Sequence, residues 1–161
     1  MCRLAVLAVL LVPLAGCPAP AEVTPTDSVP MAAGDPAERD PALDAARQRW
    51  EAADLGAYRL TLRRVCFCPS PDYTGPFEVT VAGAEVQSVR LNGAPVDAER
   101  GMSVEALFDL IDQAYERGAA SVTVAYDPDL GYPTSIGIDY DVRMADEEIG
   151  YRVSEVRALA R

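Results

Sequence analysis

Leu43, Ala46, Trp50 and Ala53 recur every three or four residues and so line one face of a helix. Asp40 and Pro41 ahead of them supply an N-cap and a first helical residue, and Gly56 a stop. The period then drops to two. Tyr58, Leu60 and Leu62 share a face in YRLTLRRVCFC, and Phe77, Val79 and Val81 share one in PFEVTVAG, with AEVQSVRLNG as its hairpin partner. After Ser103 the helical period returns: Val104, Leu107, Phe108, Ile111 and Tyr115 form an apolar stripe that closes at Gly118. Alternation resumes in SVTVAY (Val122, Val124, Tyr126) and in TSIGIDYDV (Ile136, Ile138, Tyr140, Val142). A last strand runs from about Tyr151 to Leu159.

Helix followed by three strands thus occurs twice. The loops within each triplet are too short for helical crossovers, so the pairing is expected to be antiparallel. The expected fold is α+β: an antiparallel sheet of about six strands with both helices on one face, possibly as a tandem α-β-β-β repeat.

The first residues follow a different logic. MCRLAVLAVLLVPLAGC has one charge, Arg3, then an apolar run from Leu4 to Leu14 that is too short to span a bilayer stably. Its ending, LAGC, resembles the lipobox of bacterial lipoproteins. Residues 1–16 are therefore expected to be a lipoprotein signal peptide and Cys17 the lipidated first mature residue. Pro18, in place of Asp, favours the outer membrane in a Gram-negative host. Residues 17–39 are rich in Pro, Ala and acids with no hydrophobic period, and read as a tether spanning roughly 25–70 Å. Residues 40–161 form the single folded domain.

Charge narrows the function. The 161-residue chain carries 25 acidic against 14 basic residues, every basic residue is Arg, and His is absent. A net charge of -11 repels nucleic acid and favours basic partners. Without His there is no Ser-His-Asp or Cys-His pair, which argues against an enzyme, although carboxylates, Tyr, Arg and thiolates stay available.

RW, a Tyr-initiated strand ending in CFCP, LFDLIDQA, and the run YDPDLGYPTSIGIDYD with DEE after it together resemble domain-of-unknown-function family 6174, small bacterial proteins of which many are lipoproteins. The resemblance covers most of Arg49 to Val156. It implies a helix-backed antiparallel sheet and carries over no catalytic residue.

Of the four cysteines, Cys2 leaves with the signal and Cys17 is lipidated, so Cys66 and Cys68 remain. An unbroken strand puts both on the core face with Leu60 and Leu62; a bulge at Arg63-Arg64 turns them outward. Alpha carbons two apart on a strand lie about 6.5–7 Å apart, at the edge of disulfide reach, so a bridge needs a bent backbone. In an oxidising compartment a Cys66–Cys68 disulfide ranks first, a free pair second and half of a metal site last.

In YDPDLGYP, Asp127 and Asp129 have the spacing that opens a calcium loop, but position twelve is Ile138 where a Glu is needed. Asp139 and Asp141 follow on the next strand. Turn chemistry and solvation account for these acids better than a metal does. No cofactor is expected. The sequence therefore predicts a membrane-tethered envelope module that binds an envelope protein or a basic partner through the uncovered sheet face. The alternative is a metal-binding or thiol-redox lipoprotein using Cys66 and Cys68 or the acidic stretch 127–148.

Overall fold

The computed structural model describes residues 36–68, 70–143 and 148–160. The expected signal peptide, Cys17 and the tether as far as residue 35 lie outside the described residues. Among those that are described, no helix is long and apolar enough to cross a membrane.

Among the described residues two α-helices and seven strands follow one another as α1 (Ala42–Ala53), β1 (Ala57–Val65), β2 (Phe77–Ala82), β3 (Glu85–Leu91), β4 (Ala94–Val96), α2 (Val104–Glu116), β5 (Ser121–Tyr126), β6 (Pro133–Asp139) and β7 (Ile149–Ala158). The strands form one open antiparallel sheet in the order β4-β3-β2-β1-β7-β6-β5. The sheet has seven strands where about six were expected. The extra one, β4, is three residues long with Pro95 at its centre, and so offers no alternation to read. Pro95 is tolerated because β4 is an edge. The turn before it uses Asn92 and Gly93, both at positive φ, which is the geometry of a tight hairpin.

Both helix termini are set locally. Helix α1 starts at Ala42, one residue later than expected, yet the Asp40 carboxylate still accepts the Ala42 N–H at 2.8 Å. It stops at Asp54, whose φ of 44° is left-handed, rather than at Gly56. Ser103 caps α2 as expected, its hydroxyl accepting the Ala106 N–H at 3.1 Å.

One core lies between the helices and one sheet face. Leu43, Ala46 and Trp50 of α1 and Val104, Leu107, Phe108 and Ile111 of α2 meet Tyr58, Leu60, Leu62, Val79, Val81 and Ile138, all fully or nearly fully buried. Each large side chain buried there contributes about 1.5–3 kcal/mol. A polar knot ties α1, β1 and α2 together. The Tyr58 hydroxyl donates to Glu105 Oε2 at 2.7 Å and accepts the Val104 N–H at 2.9 Å, while Trp50 Nε1 donates to Glu105 Oε1 at 2.9 Å. On the outer side, Arg47 joins the helices through Asp112 at 2.5 Å and lies over the Phe108 ring. Ala37 and Arg39, at the end of the expected tether, already bond to Ala119 and Asp112.

Candidate binding surface

With both helices on one face, the described residues leave the other face of the sheet open, and strand alternation decides what it shows. On β1, Tyr58, Leu60 and Leu62 point into the core, so Arg59, Thr61, Arg63 and Val65 point out. On β7, Tyr151 and Val153 point in, while Gly150, Arg152 and Ser154 point out. A register shift opposite Arg59–Thr61 inserts an extra residue on β7, with Glu155 at a φ of 57°, and brings Arg157 to the open face as well.

Register then pairs like with like. Arg63 stands opposite Arg152, and Arg59 opposite Arg157. The two arginine pairs are separated by four residues of β1, roughly 13 Å, with Thr61 opposite Ser154 between them. All four arginines are exposed, and among the described residues none has a carboxylate within 4.0 Å. Glu155, the nearest acid in sequence, accepts instead from the Thr61 hydroxyl at 3.2 Å. Like charges directly opposite on a sheet are destabilising. Their presence here, in a chain with few cations to spare, marks a surface kept for something other than stability.

Beyond Arg63 and Arg152, a row across four strands runs Val65, Gly150, Gly137, Thr123. The two facing glycines leave a trough of about 360 Å³ walled on one side by Arg152 and Ser135 and on the other by Asp139 and Glu148. A β-carbon on Gly150 would stand 2.9 Å from Val65 Cβ, and one on Gly137 2.8 Å from Thr123 Oγ1, so the floor is as close-packed as glycine permits.

Past Val65 the chain reaches the cysteines. The β1–β7 register runs through Arg63, Arg64 and Val65 without a shift, so no bulge stands at Arg63-Arg64, but β1 ends at Val65 and the expected strand does not extend through the cysteines. Cys66 and Cys68 are both half-buried, their sulfurs stand at disulfide distance, and their alpha carbons are 5.2 Å apart. The backbone is contracted relative to an extended strand, as a bridge between such near neighbours requires. Phe67, between them, is 99% exposed. Arg64 points to the helix side and lies over the Tyr151 ring.

The acidic candidates are not brought together. The Asp127 carboxylate accepts the N–H groups of Asp129 and Leu130 at 3.0 and 2.7 Å, closing the loop before β6. Gly131, at a φ of 82°, lets that loop press on α1, where any side chain would run into the Ala46 carbonyl. Tyr132 then packs edge-on against Trp50. Asp139 and Asp141 lie at the far end of β6: Asp139 accepts the Asp141 N–H, and Asp141 holds Arg143 at 2.8 Å. That ion pair, together with the Arg143 N–H, pulls the Asp141 carboxyl down to about 2. Among the described residues no three His, Cys, Asp or Glu side chains converge.

Over residues 42–158 the sequence matches one family pattern from the first helix to the last strand. The chain belongs to the family of unknown function DUF6174. The matched span includes every strand of the open face, both arginine pairs and the Cys66–Cys68 tip. No curated protein matches this DUF6174 chain. Among solved structures it is similar to the Mycobacterium tuberculosis lipoprotein LppX, with 14% identity, 76% of this chain and 99% of that chain covered, and a TM-score of 0.30. A likeness that distant carries no argument about fold or ligand.

The arginine pairs are what sequence reading missed. Alternation in RLTLR places Arg59 and Arg63 opposite the leucines, which was a legible signal. That β1 and β7 are neighbours, and that their arginines coincide in register, is a contact across about ninety residues that no local pattern encodes.

Proposed function

We propose that this DUF6174 protein is a lipid-tethered envelope protein that works by binding, and that its open sheet face takes an acidic segment of another protein. The leader and Cys17 support the tether and the envelope location, on the outer membrane if the host is Gram-negative. One observation carries the binding role: two arginine pairs in direct cross-strand register, exposed and without carboxylate partners among the described residues. An extended strand with carboxylates on one face presents its charges about 6.5–7 Å apart. It can therefore meet both pairs along its length, and guanidinium forks bind carboxylates bidentately. Net charge alone favoured a basic partner, but a partner responds first to the local field, since screening cuts off distant charges within about 10 Å.

The test is binding of poly-glutamate and poly-lysine to the full chain in detergent. Saturable binding of poly-glutamate, lost in Arg63→Gln/Arg152→Gln, supports the reading; preference for poly-lysine overturns it. The tether is tested separately by intact mass, which should show acyl chains on Cys17 and none in Cys17→Ser.

The bridged cysteines play a structural part in this reading: they end β1 in a closed ring. A calcium or other metal function for Asp127, Asp129, Asp139 and Asp141 lacks support, because the first two lie at one end of β6 and the last two at the other.

A further inference from the structure

The Cys66–Phe67–Cys68 ring ends β1 with an aromatic side chain held fully in water. A mobile loop could fold such a residue back; a ring of three residues cannot. Val65, 46% exposed, and Ile149, 36% exposed, flank it. Beneath it, a cavity of about 310 Å³ is lined by Arg64, Tyr151, the two cysteines and Glu148. Among the described residues, none places a carboxylate within 4.0 Å of Arg64. It also borders a second hollow whose other walls include Tyr73, half exposed, with Asp97 and Glu99. The tip thus combines a rigid apolar point, the Arg64 guanidinium lying over the Tyr151 ring, and the carboxylates of Glu148, Asp97 and Glu99.

The tip lies at the end of the sheet where the described chain enters the domain. The start of β5 and the end of β1 lie at the same end of the sheet, three strands or about 14 Å apart. Ala37 bonds to Ala119, two residues before β5, so the chain that leads back toward Cys17 leaves the domain at this end.

We infer that the tip is a second membrane contact: Phe67 seats in the interfacial layer of the bilayer that holds the lipid anchor, and Arg64 meets lipid phosphates. This rests on the lipid-tether reading above. Aromatic residues favour that layer, where side chains reach about 5–10 Å below the headgroups. The charge complement is a zwitterionic surface, whose phosphates pair with a guanidinium without the net repulsion an anionic bilayer would exert on this protein. The tip is separate from the arginine pairs, so an acidic partner and the membrane can be engaged together.

The experiment is Phe67→Trp in the acylated full chain, reconstituted in phosphatidylcholine vesicles with and without brominated acyl chains. Phe67 touches nothing in the core, and the buried Trp50 gives the background that wild type subtracts. The result expected is a blue-shifted position-67 emission, quenched about twofold by bromine, and less quenched in Phe67→Trp/Arg64→Ala. Emission typical of water and indifferent to bromine overturns the inference and leaves the tip to a protein partner. If intact mass shows no acyl chain, the tether reading fails on its own terms. The Cys17→Ser chain mixed with the same vesicles then reports on the tip alone: quenching upholds the contact and its absence overturns it.

Discussion

Arg63 and Arg152 stand directly opposite each other on adjacent antiparallel strands, exposed on the open face, and among the described residues no carboxylate comes within 4.0 Å of either. Such a pair opposes folding by roughly 0.2–1 kcal/mol. Replacing either with Gln should therefore raise stability by about 0.5 kcal/mol, seen as a melting point higher by a few degrees at low salt, and the gain should shrink as salt is added. A lower melting point would mean that the guanidiniums pack usefully and that the repulsion argument is wrong.

The Tyr58 hydroxyl is the joint between β1 and α2. Tyr58→Phe leaves the Val104 N–H without its partner and Glu105 with Trp50 alone. The expected loss is about 1–3 kcal/mol in denaturant unfolding.

The same phenol sets an alkaline limit. Burial, and then the Glu105 carboxylate beside it, raise its pKa well above the ordinary 10.0. An unfolded Tyr58 ionises from about pH 10 while the folded one keeps its proton. The unfolded state then binds fewer protons, so stability is full below pH 10 and falls as pH rises beyond it. Tyr126, buried and raised in the same direction, adds to the slope. In Tyr58→Phe the fall should be shallower; an unchanged slope would contradict the assignment.

Tyr126 carries a different cost. Its ring stacks on Phe108, but its hydroxyl is buried without a hydrogen-bond partner among the described residues. Tyr126→Phe keeps the stack and removes the unsatisfied group, so stability should hold or rise by about 1 kcal/mol. A clear loss would show that the hydroxyl has a partner in solution.

Asp141 should keep its charge in acid. Arg143 binds the ionised form, so the folded pKa of about 2 lies below the ordinary 3.8. Whatever stability the pair provides is present above about pH 4 and is lost as pH falls toward 2. A carboxyl carbon NMR titration should place the midpoint near 2 in the native chain and higher in Arg143→Ala, though still below the ordinary 3.8 because the position-143 N–H remains.

How far the sequence foretold this architecture varies with the range of the contact. Both helices, Ser103 as a cap and six strands follow from periods of 3.6 and 2. Buried Leu60, Leu62, Val79 and Ile138 are the residues that alternation selects. Beta 4 was illegible because three residues around a proline carry no period. The stop of α1 was misplaced because Asp54 adopts the left-handed geometry that Gly56 seemed better suited to provide. For the cysteines, alternation alone left two orientations; the unshifted β1–β7 register removes the bulge at Arg63-Arg64, and the strand ends at Val65, before either cysteine. The arginine pairs depend on strand neighbours and register together, and so become visible only once the sheet is assembled.

The most direct measurement of the central claim is the response of arginine side-chain NMR signals to poly-glutamate in the full chain held in detergent micelles. The account predicts saturable shifts at Arg59, Arg63, Arg152 and Arg157, with Arg39 and Arg47, which already hold carboxylates, unmoved. Shifts spread evenly over all arginines, or none beyond those that salt produces, would contradict it.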